Sequence, residues 1–323
     1  MTSIPPLPPE APAADATFVP PPAPVVAAPF EQLGLAAPVL ANLARLGYHQ
    51  MTPIQAASLP VALAGNDLIA QAKTGSGKTA AFGLPLLQRL DPRNFAVQAM
   101  VLCPTRELAE QVSQEIRRLA RFEENIKVLT LCGGSPIRPQ ADSLAHGAHV
   151  VVGTPGRLMD HLSRGSLQLD ALATLVLDEA DRMLDMGFMP DVERILSLLT
   201  GRRQTLLFSA TMPPGVRRII ERFLNEPARI EVSRPATTVE AVDAVVVPVP
   251  GGELKRRALM RLIGQQSVEK AIVFANRKRD VSSLNRFLQG VGLNARDIHG
   301  DLEQVHRQAT LEAFKADQVD GRL

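Results

Sequence analysis

The sequence predicts an α/β protein built on a doubly wound parallel sheet, and three observations predict it. Six short apolar runs rich in Val, Ile and Leu recur at 67–72, 99–104, 126–133, 149–155, 174–180 and 204–211. Amphipathic stretches of helical length separate them, so successive strands are joined by crossovers rather than hairpins. The runs are also apolar without a break, as strands covered on both faces must be. Ligands of such a sheet are expected at the carboxyl ends of its strands.

The 323 residues suffice for about two domains, and a 46% hydrophobic content supplies a core. A formal charge of +2 permits an anionic partner without demanding one. Only Cys103 and Cys132 occur, outside any metal or redox spacing, which fits a reducing cytoplasm. No apolar run approaches the roughly 18 residues of a membrane span, so a soluble chain with no membrane partner is expected.

In chain order, residues 1–29 hold ten Pro and seven Ala and read as a disordered tail or spacer. Residues 30–232 carry the six strands and form the first domain, and 233–243 lack helical periodicity and read as a linker. Apolar runs at 244–250, 270–278 and 295–301 then begin a second α/β pattern over 244–323. That pattern stops with too few strands to close a sheet, so weak order is expected beyond about residue 245.

The first strand leads into Ala72, Lys73, Thr74, Gly75, Ser76, Gly77, Lys78 and Thr79, and then into a helix-forming stretch. Two glycines let the backbone curl so that several N–H groups aim at a phosphate, and the helix adds its positive end. Lys78 can then meet the β- and γ-phosphates, and Thr79 can offer its hydroxyl to Mg²⁺. The fifth run ends in Asp178, Glu179 and Asp181. Alone, three crowded acids would be an ordinary polar strand exit. Beside a phosphate loop, Asp178 becomes the second holder of Mg²⁺, and Glu179 the group that orients and deprotonates the attacking water.

These stretches, with "GYHQMTPIQ", "LVLCPTRELAEQV", "LTLCGG", "RQTLLFSAT" and "HGDLEQ", resemble the DEAD-box RNA helicases from Phe30 to Leu323. That family is named for the tetrapeptide at 178–181, and within it the chain is most similar to the bacterial DbpA type. The resemblance implies two RecA-like domains, the first complete with its Q motif at 30–56 and the second only begun. It also implies ATP hydrolysis coupled to local unwinding of RNA duplexes by a monomer, with ribosomal RNA or pre-ribosomal particles as partners. Gln55 would read the adenine edge, with Phe30 and Tyr48 forming its pocket. Ser209 and Thr211 would link hydrolysis to strand separation through Asp181.

By the same resemblance, RNA contacts fall on Thr105, Arg106, Gly134, Thr154, Gly156 and Arg157. Further ones fall on Arg277, Gly300, Asp301, Gln304 and Arg307. Arginines neutralise phosphates and glycines admit close backbone approach, so these groups grip a backbone without reading bases. The low aromatic content, 4% with no Trp, agrees with a grip that does not stack bases. The family's later Ala-Arg-Gly-Leu-Asp and His-Arg-x-Gly-Arg-x-x-Arg motifs are not among these residues. The expectation is a truncated chain that binds nucleotide better than it hydrolyses it, since such arginines are commonly worth a factor of about 10³ to 10⁵ in rate. An RNA- and ATP-binding module with little turnover is the alternative reading.

Overall fold

The computed structural model describes residues 28–72, 75–199, 203–232, 245–264, 268, 270–316 and 318. Most of the Pro-rich tail, Lys73, Thr74 and the whole 233–243 linker lie outside them.

Seven parallel strands form one sheet: β1 (Leu68–Gln71), β2 (Ala99–Leu102), β3 (Val128–Leu131), β4 (Val150–Gly153), β5 (Thr174–Leu177), β6 (Gln204–Ser209) and β7 (Ala228–Glu231). Their order is β3-β4-β2-β5-β6-β1-β7. All six expected strands are present, each trimmed to its paired residues. β7 was not expected: as an edge strand it alternates half-buried and exposed residues, and it lacks the continuous apolar run that marks its neighbours.

Side chains alternate between two cores, as a pleat requires. Leu68, Ala70, Val101, Val176, Leu206 and Phe208 face one helical layer, and Ile69, Met100, Leu102, Val151, Leu175 and Leu207 face the other. The first layer holds α1 (Ala37–Arg45), α2 (Pro53–Leu63), α3 (Lys78–Gln88) and α4 (Arg106–Leu119). Buried residues of α6 (Pro155–Ser163), α7 (Ala180–Asp185), α8 (Met189–Leu198) and α9 (Pro214–Phe223) line the second, with Leu144 of α5 (Ile137–Ala145). Phe82 of α3 meets Phe208 of β6 edge-on at 5.4 Å, which pins the helix after the phosphate loop to the central strand.

Two features of the sheet place the site. β6 lies between β1 and β5, so the segments leaving those two strands flank it. Leu177, the last residue of β5, pairs with Leu207, and β6 continues two residues further to Ser209. The extra length carries Ser209 alongside the acid segment.

Beyond residue 245 the chain forms α10 (Gly252–Ile263) and α11 (Lys278–Gly290), which share a small cluster of Ile263, Leu288 and Leu293, and then α12 (Gln304–Lys315). The strands expected at 244–250, 270–278 and 295–301 do not form among the described residues. A strand exists only through ladder partners, and these runs have none there; Val246 is 90% and Phe274 91% exposed. No helix among the described residues is long and apolar enough to cross a membrane.

Candidate functional site

The loop after β1 is built for a close-lying ligand. Gly75 and Gly77 take φ of +81° and +91°, values that L side chains rarely adopt. A Cβ on Gly75 would meet nothing within 4 Å, so the loop is open above it, whereas one on Gly77 would fall 2.6 Å from Gln55 Nε2. Ala72 closes the base of the loop, its N–H donating to Ser209 O at 3.1 Å. Lys78 begins α3, with Thr79 half-buried in the same turn. Ser76 is half-buried in the loop itself.

Lys78 Nζ lies 3.8 Å from Asp178 Oδ1, close enough to attract and too far to hydrogen-bond. Both atoms are buried and neither has a hydrogen-bond partner. Burial pushes the Asp178 carboxyl up to about 6, with Glu179 adding repulsion and Lys78 opposing both. An unsatisfied buried cation and anion facing one gap cost stability unless a ligand completes them. A triphosphate oxygen suits Lys78, and a divalent cation suits Asp178. Among the described residues no group of three His, Cys, Asp or Glu side chains makes a metal cage. Mg²⁺ is usually held by one or two carboxylates together with the substrate's phosphates. The orphaned Lys78 Nζ and Asp178 Oδ1 fit Mg²⁺–ATP, for which Asp178 and Thr79 would be the protein contacts.

Glu179 adopts a left-handed backbone, φ 53° and ψ 54°, as the cap of α7. For a residue with a Cβ this costs free energy, and such strain concentrates at functional sites. Arg182 Nε stands 3.9 Å from Glu179 Oε2.

Asp181 is wired to the end of β6. Its Oδ2 accepts from Thr211 Oγ1 at 2.8 Å and Thr211 N at 2.9 Å, and its Oδ1 accepts from Arg182 N at 3.1 Å. Its own N–H donates to Ser209 Oγ at 3.1 Å, and Ser209 Oγ–H donates to Thr211 O at 2.7 Å. Burial alone would raise this carboxyl. The donors outweigh burial, the Thr211 hydroxyl foremost with the Thr211 and Arg182 amides, and hold it below its ordinary range. The structure thus brings together the three residues that the family resemblance linked.

On the adenine side, Phe30 is buried in the core and meets Tyr48 edge-on at 6.1 Å, so its ring supports Tyr48 from beneath. Tyr48 Oη–H donates to Glu115 Oε1 at 2.8 Å, and burial beside that carboxylate pushes the phenol well above its ordinary 10. Gln55 Oε1 accepts from Thr52 N at 2.9 Å and its Nε2 donates to Gly77 O at 3.0 Å. The residue expected at the adenine edge therefore also ties α2 to the phosphate loop, a task no sequence signal announced.

The expected RNA residues of the first domain gather at the ends of β2, β3 and β4. Thr105 caps α4 by accepting from Leu108 N at 3.2 Å. The Arg106 guanidinium lies against Gly133 and Gly134, where a Cβ on Gly134 would overlap it. Thr154 and Gly156 open α6, and Arg157 Nη2 donates to Ser135 O at 3.0 Å while its Nε and Nη1 are buried without acceptors. In the second region, Arg277 precedes α11 on the surface, and Lys278 pairs with Asp301 next to Gly300. Gln304 and Arg307 are elsewhere engaged: Gln304 Nε2 donates to Glu107 Oε1 at 3.1 Å, and Arg307 Nη2 meets the same oxygen at 2.8 Å. Glu107 was not singled out from the sequence, because a partner 197 residues away leaves no local pattern.

A cleft of about 660 Å³ opens at the amino ends of the strands, lined by Phe95, Val97, Leu144, Gly147 and Leu167 among others. It holds no phosphate loop and no carboxylate cluster, so the chemistry sits at the opposite end.

Residues 52–219 match the DEAD/DEAH box helicase family, and residues 254–323 match the helicase conserved C-terminal domain. The ATP-dependent RNA helicase DbpA of Escherichia coli is 50% identical over 275 residues, covering 85% of this chain and 60% of that protein. The ATP-dependent RNA helicase CshA of Listeria monocytogenes is 46% identical over 291 residues, 90% of this chain and 56% of that one. The chain thus spans about 60% of the length of the curated relatives it matches. Among solved structures, Saccharomyces cerevisiae Dbp5 bound to RNA and ADP BeF3 aligns with a TM-score of 0.80 and 29% identity, over 91% of this chain and 75% of that one. A DEAD box protein from Methanococcus jannaschii aligns with a TM-score of 0.61 and 37% identity, over 90% and 78%.

Proposed function

The chain belongs to the DEAD/DEAH box helicase family, and on that footing we propose that it is an ATP-dependent RNA helicase whose hydrolysis of Mg²⁺–ATP drives local separation of RNA duplexes. The observation that carries this reading is the pair of orphaned atoms, Lys78 Nζ and Asp178 Oδ1, facing one gap beneath the phosphate loop.

Bound there, Mg²⁺ would neutralise phosphate charge and polarise the γ-phosphoryl group. The chain's own groups do the rest. Amides of the glycine loop and Lys78 orient the triphosphate, and Glu179 takes the proton of the water that attacks the γ-phosphorus as the bond to the ADP oxygen breaks. Asp181 reports on that event, because Thr211 and Ser209 are bound to the same carboxylate segment. Arg106, Arg157 and the Gly133–Gly134 turn hold the sugar–phosphate backbone without reading sequence.

Ribosomal RNA or a pre-ribosomal particle, met in the cytoplasm by a monomer, is part of the proposal on the resemblance to the DbpA type alone. Phosphate release with and without duplex RNA tests the reading. Stimulated turnover that disappears in Glu179→Gln supports it. Nucleotide binding with no turnover would instead establish a binding module, and stimulation by DNA but not RNA would change the substrate class.

A further inference from the structure

Beneath the Gly133–Gly134 turn, a polar chain runs between two helices from half-exposed Gln140 to buried His161. Gln140, on α5, donates from Nε2 to Cys132 O at 3.0 Å and to Ser135 Oγ at 2.8 Å. Both amide hydrogens are thereby used, so its Oε1 faces the other way, 3.2 Å from His161 Nε2 on α6. An amide oxygen can only accept, which places the imidazole proton on Nε2. Nδ1 is then left to accept from the Ser166 hydroxyl at 2.8 Å, the shorter of the two contacts its proton can serve, with His161 O at 3.2 Å. His161 is fully buried, and burial with the Arg157 and Arg164 charges keeps the ring neutral, as this donor–acceptor arrangement needs. Reversing the Gln140 amide would set oxygen against oxygen at Cys132 and waste the His161 proton. The histidine therefore fixes which end of the amide meets the turn.

A satisfied buried histidine is commonly a packing residue, but this chain ends on a turn with work to do. Ser135 is gripped twice, by Gln140 at its hydroxyl and by Arg157 at its carbonyl. The Arg157 side chain is only 10% exposed, yet its Nε and Nη1 have no acceptor on the chain. Asp160 Oδ2 lies 3.8 Å from Nε, beyond hydrogen-bond reach. Two buried guanidinium donors without acceptors, beside a glycine turn at φ +83°, suit an anionic oxygen supplied from outside.

We propose that Gln140 and His161 are positioning residues that lock the Cys132–Ser135 turn and the Arg157 guanidinium in the geometry that receives an RNA phosphate. The inference rests on the RNA-binding reading above and adds the residues that set its geometry from below.

The test uses the full chain, a fluorescein-labelled oligouridylate in anisotropy with ADP–beryllium fluoride, and a fluorescent ATP analogue for nucleotide affinity. Gln140→Leu, a half-exposed position that leaves the fold intact, should weaken RNA binding about tenfold, the loss of roughly one charge-assisted contact. Nucleotide affinity should stay within about twofold of the parent. His161→Leu should match it, and His161→Gln, whose amide can present N–H near the lost Nε2, should recover most of the affinity. Parent-like RNA binding in Gln140→Leu would overturn the proposal, as would His161→Gln binding no better than His161→Leu. Equal losses of RNA and nucleotide affinity would also overturn it, since they would mark a general structural role. If His161→Leu does not fold, Gln140→Leu and His161→Gln decide. Failure of the parent chain itself to bind RNA would overturn the function reading and this inference together.

Discussion

Replacing Asp178 by asparagine should change how stability depends on pH, in the protein free of metal and nucleotide. Asp178 is 3% exposed, and burial raises its carboxyl from 3.8 to about 6 despite Lys78 at 3.8 Å. Between those values the folded chain holds a proton that the unfolded chain releases. The stabilisation from protonated Asp178 is therefore complete below pH 3.8 and is lost as pH rises through about 6. At about 1.4 kcal/mol per pH unit, the loss is about 3 kcal/mol. The asparagine of the Asp178→Asn variant does not titrate, so the stability of the variant minus that of the parent should rise by about 3 kcal/mol from about pH 4 to about pH 7 and then level off. Asparagine resembles the protonated carboxyl, and the Lys78 attraction is already contained in the raised value of about 6, so it adds no separate change to the slope. Contributions from Asp181 and His161, whose shifts act in the opposite direction, are common to both proteins and cancel. Urea unfolding at half-unit pH intervals measures the curve. A difference that stays constant across the range would refute the argument, because it would mean that the Asp178 carboxyl titrates as it does in water.

Three further outcomes are expected. Gly77→Ala must place a Cβ at φ +91° and 2.6 Å from Gln55 Nε2; left-handed strain and the displaced amide together should cost about 2–3 kcal/mol, read as a lower Tm and weaker ATP binding. Thr211→Val removes the hydroxyl donor to Asp181 Oδ2 and should cost about 1.5–3 kcal/mol; in Asp181→Asn the same change should cost at least about 1 kcal/mol less, measured as a double-mutant cycle. Glu107→Gln weakens the contact with Arg307, both side chains being partly exposed; about 0.5–1 kcal/mol, a two- to fivefold shift in the population with α12 against α4, should appear as altered energy transfer between dyes on the two regions.

The sequence made the first domain legible because buried parallel strands leave an unmistakable pattern: Val150, Val151 and Val152 can sit only between two helical layers. β7 escaped notice because Ala228–Glu231 pairs on one edge and keeps its outer residues wet. The runs around Val246 and Phe274 show the converse, since an apolar pattern states what could be covered and not whether a neighbour covers it. Within the site, Asp178 could be tied to the phosphate loop because both follow parallel strands, whereas Ser209 and Thr211 could be tied to Asp181 only through the family resemblance. Gln140 and His161 could not, because their importance lies in the direction of a hydrogen bond between helices. Gln55 was found for one reason and proves to have a second, its grip on Gly77.

Helix α4 reaches from the adenine side to the RNA side. Near its carboxyl end Glu115 holds Tyr48, and the carbonyls of Arg118 and Leu119 accept from Asn42 Nδ2 at 3.1 and 2.9 Å. Its other end presents Thr105, Arg106 and Glu107, about 21 Å away at about 1.5 Å per residue. A single stiff rod thus runs between the two proposed sites and touches the second region. Any strengthening that nucleotide confers on the far end must be returned in equal measure, because linkage between two binding events has no preferred direction. If the two sites are coupled through this helix, it works as the beam of a balance, and a load on either pan is felt in the other.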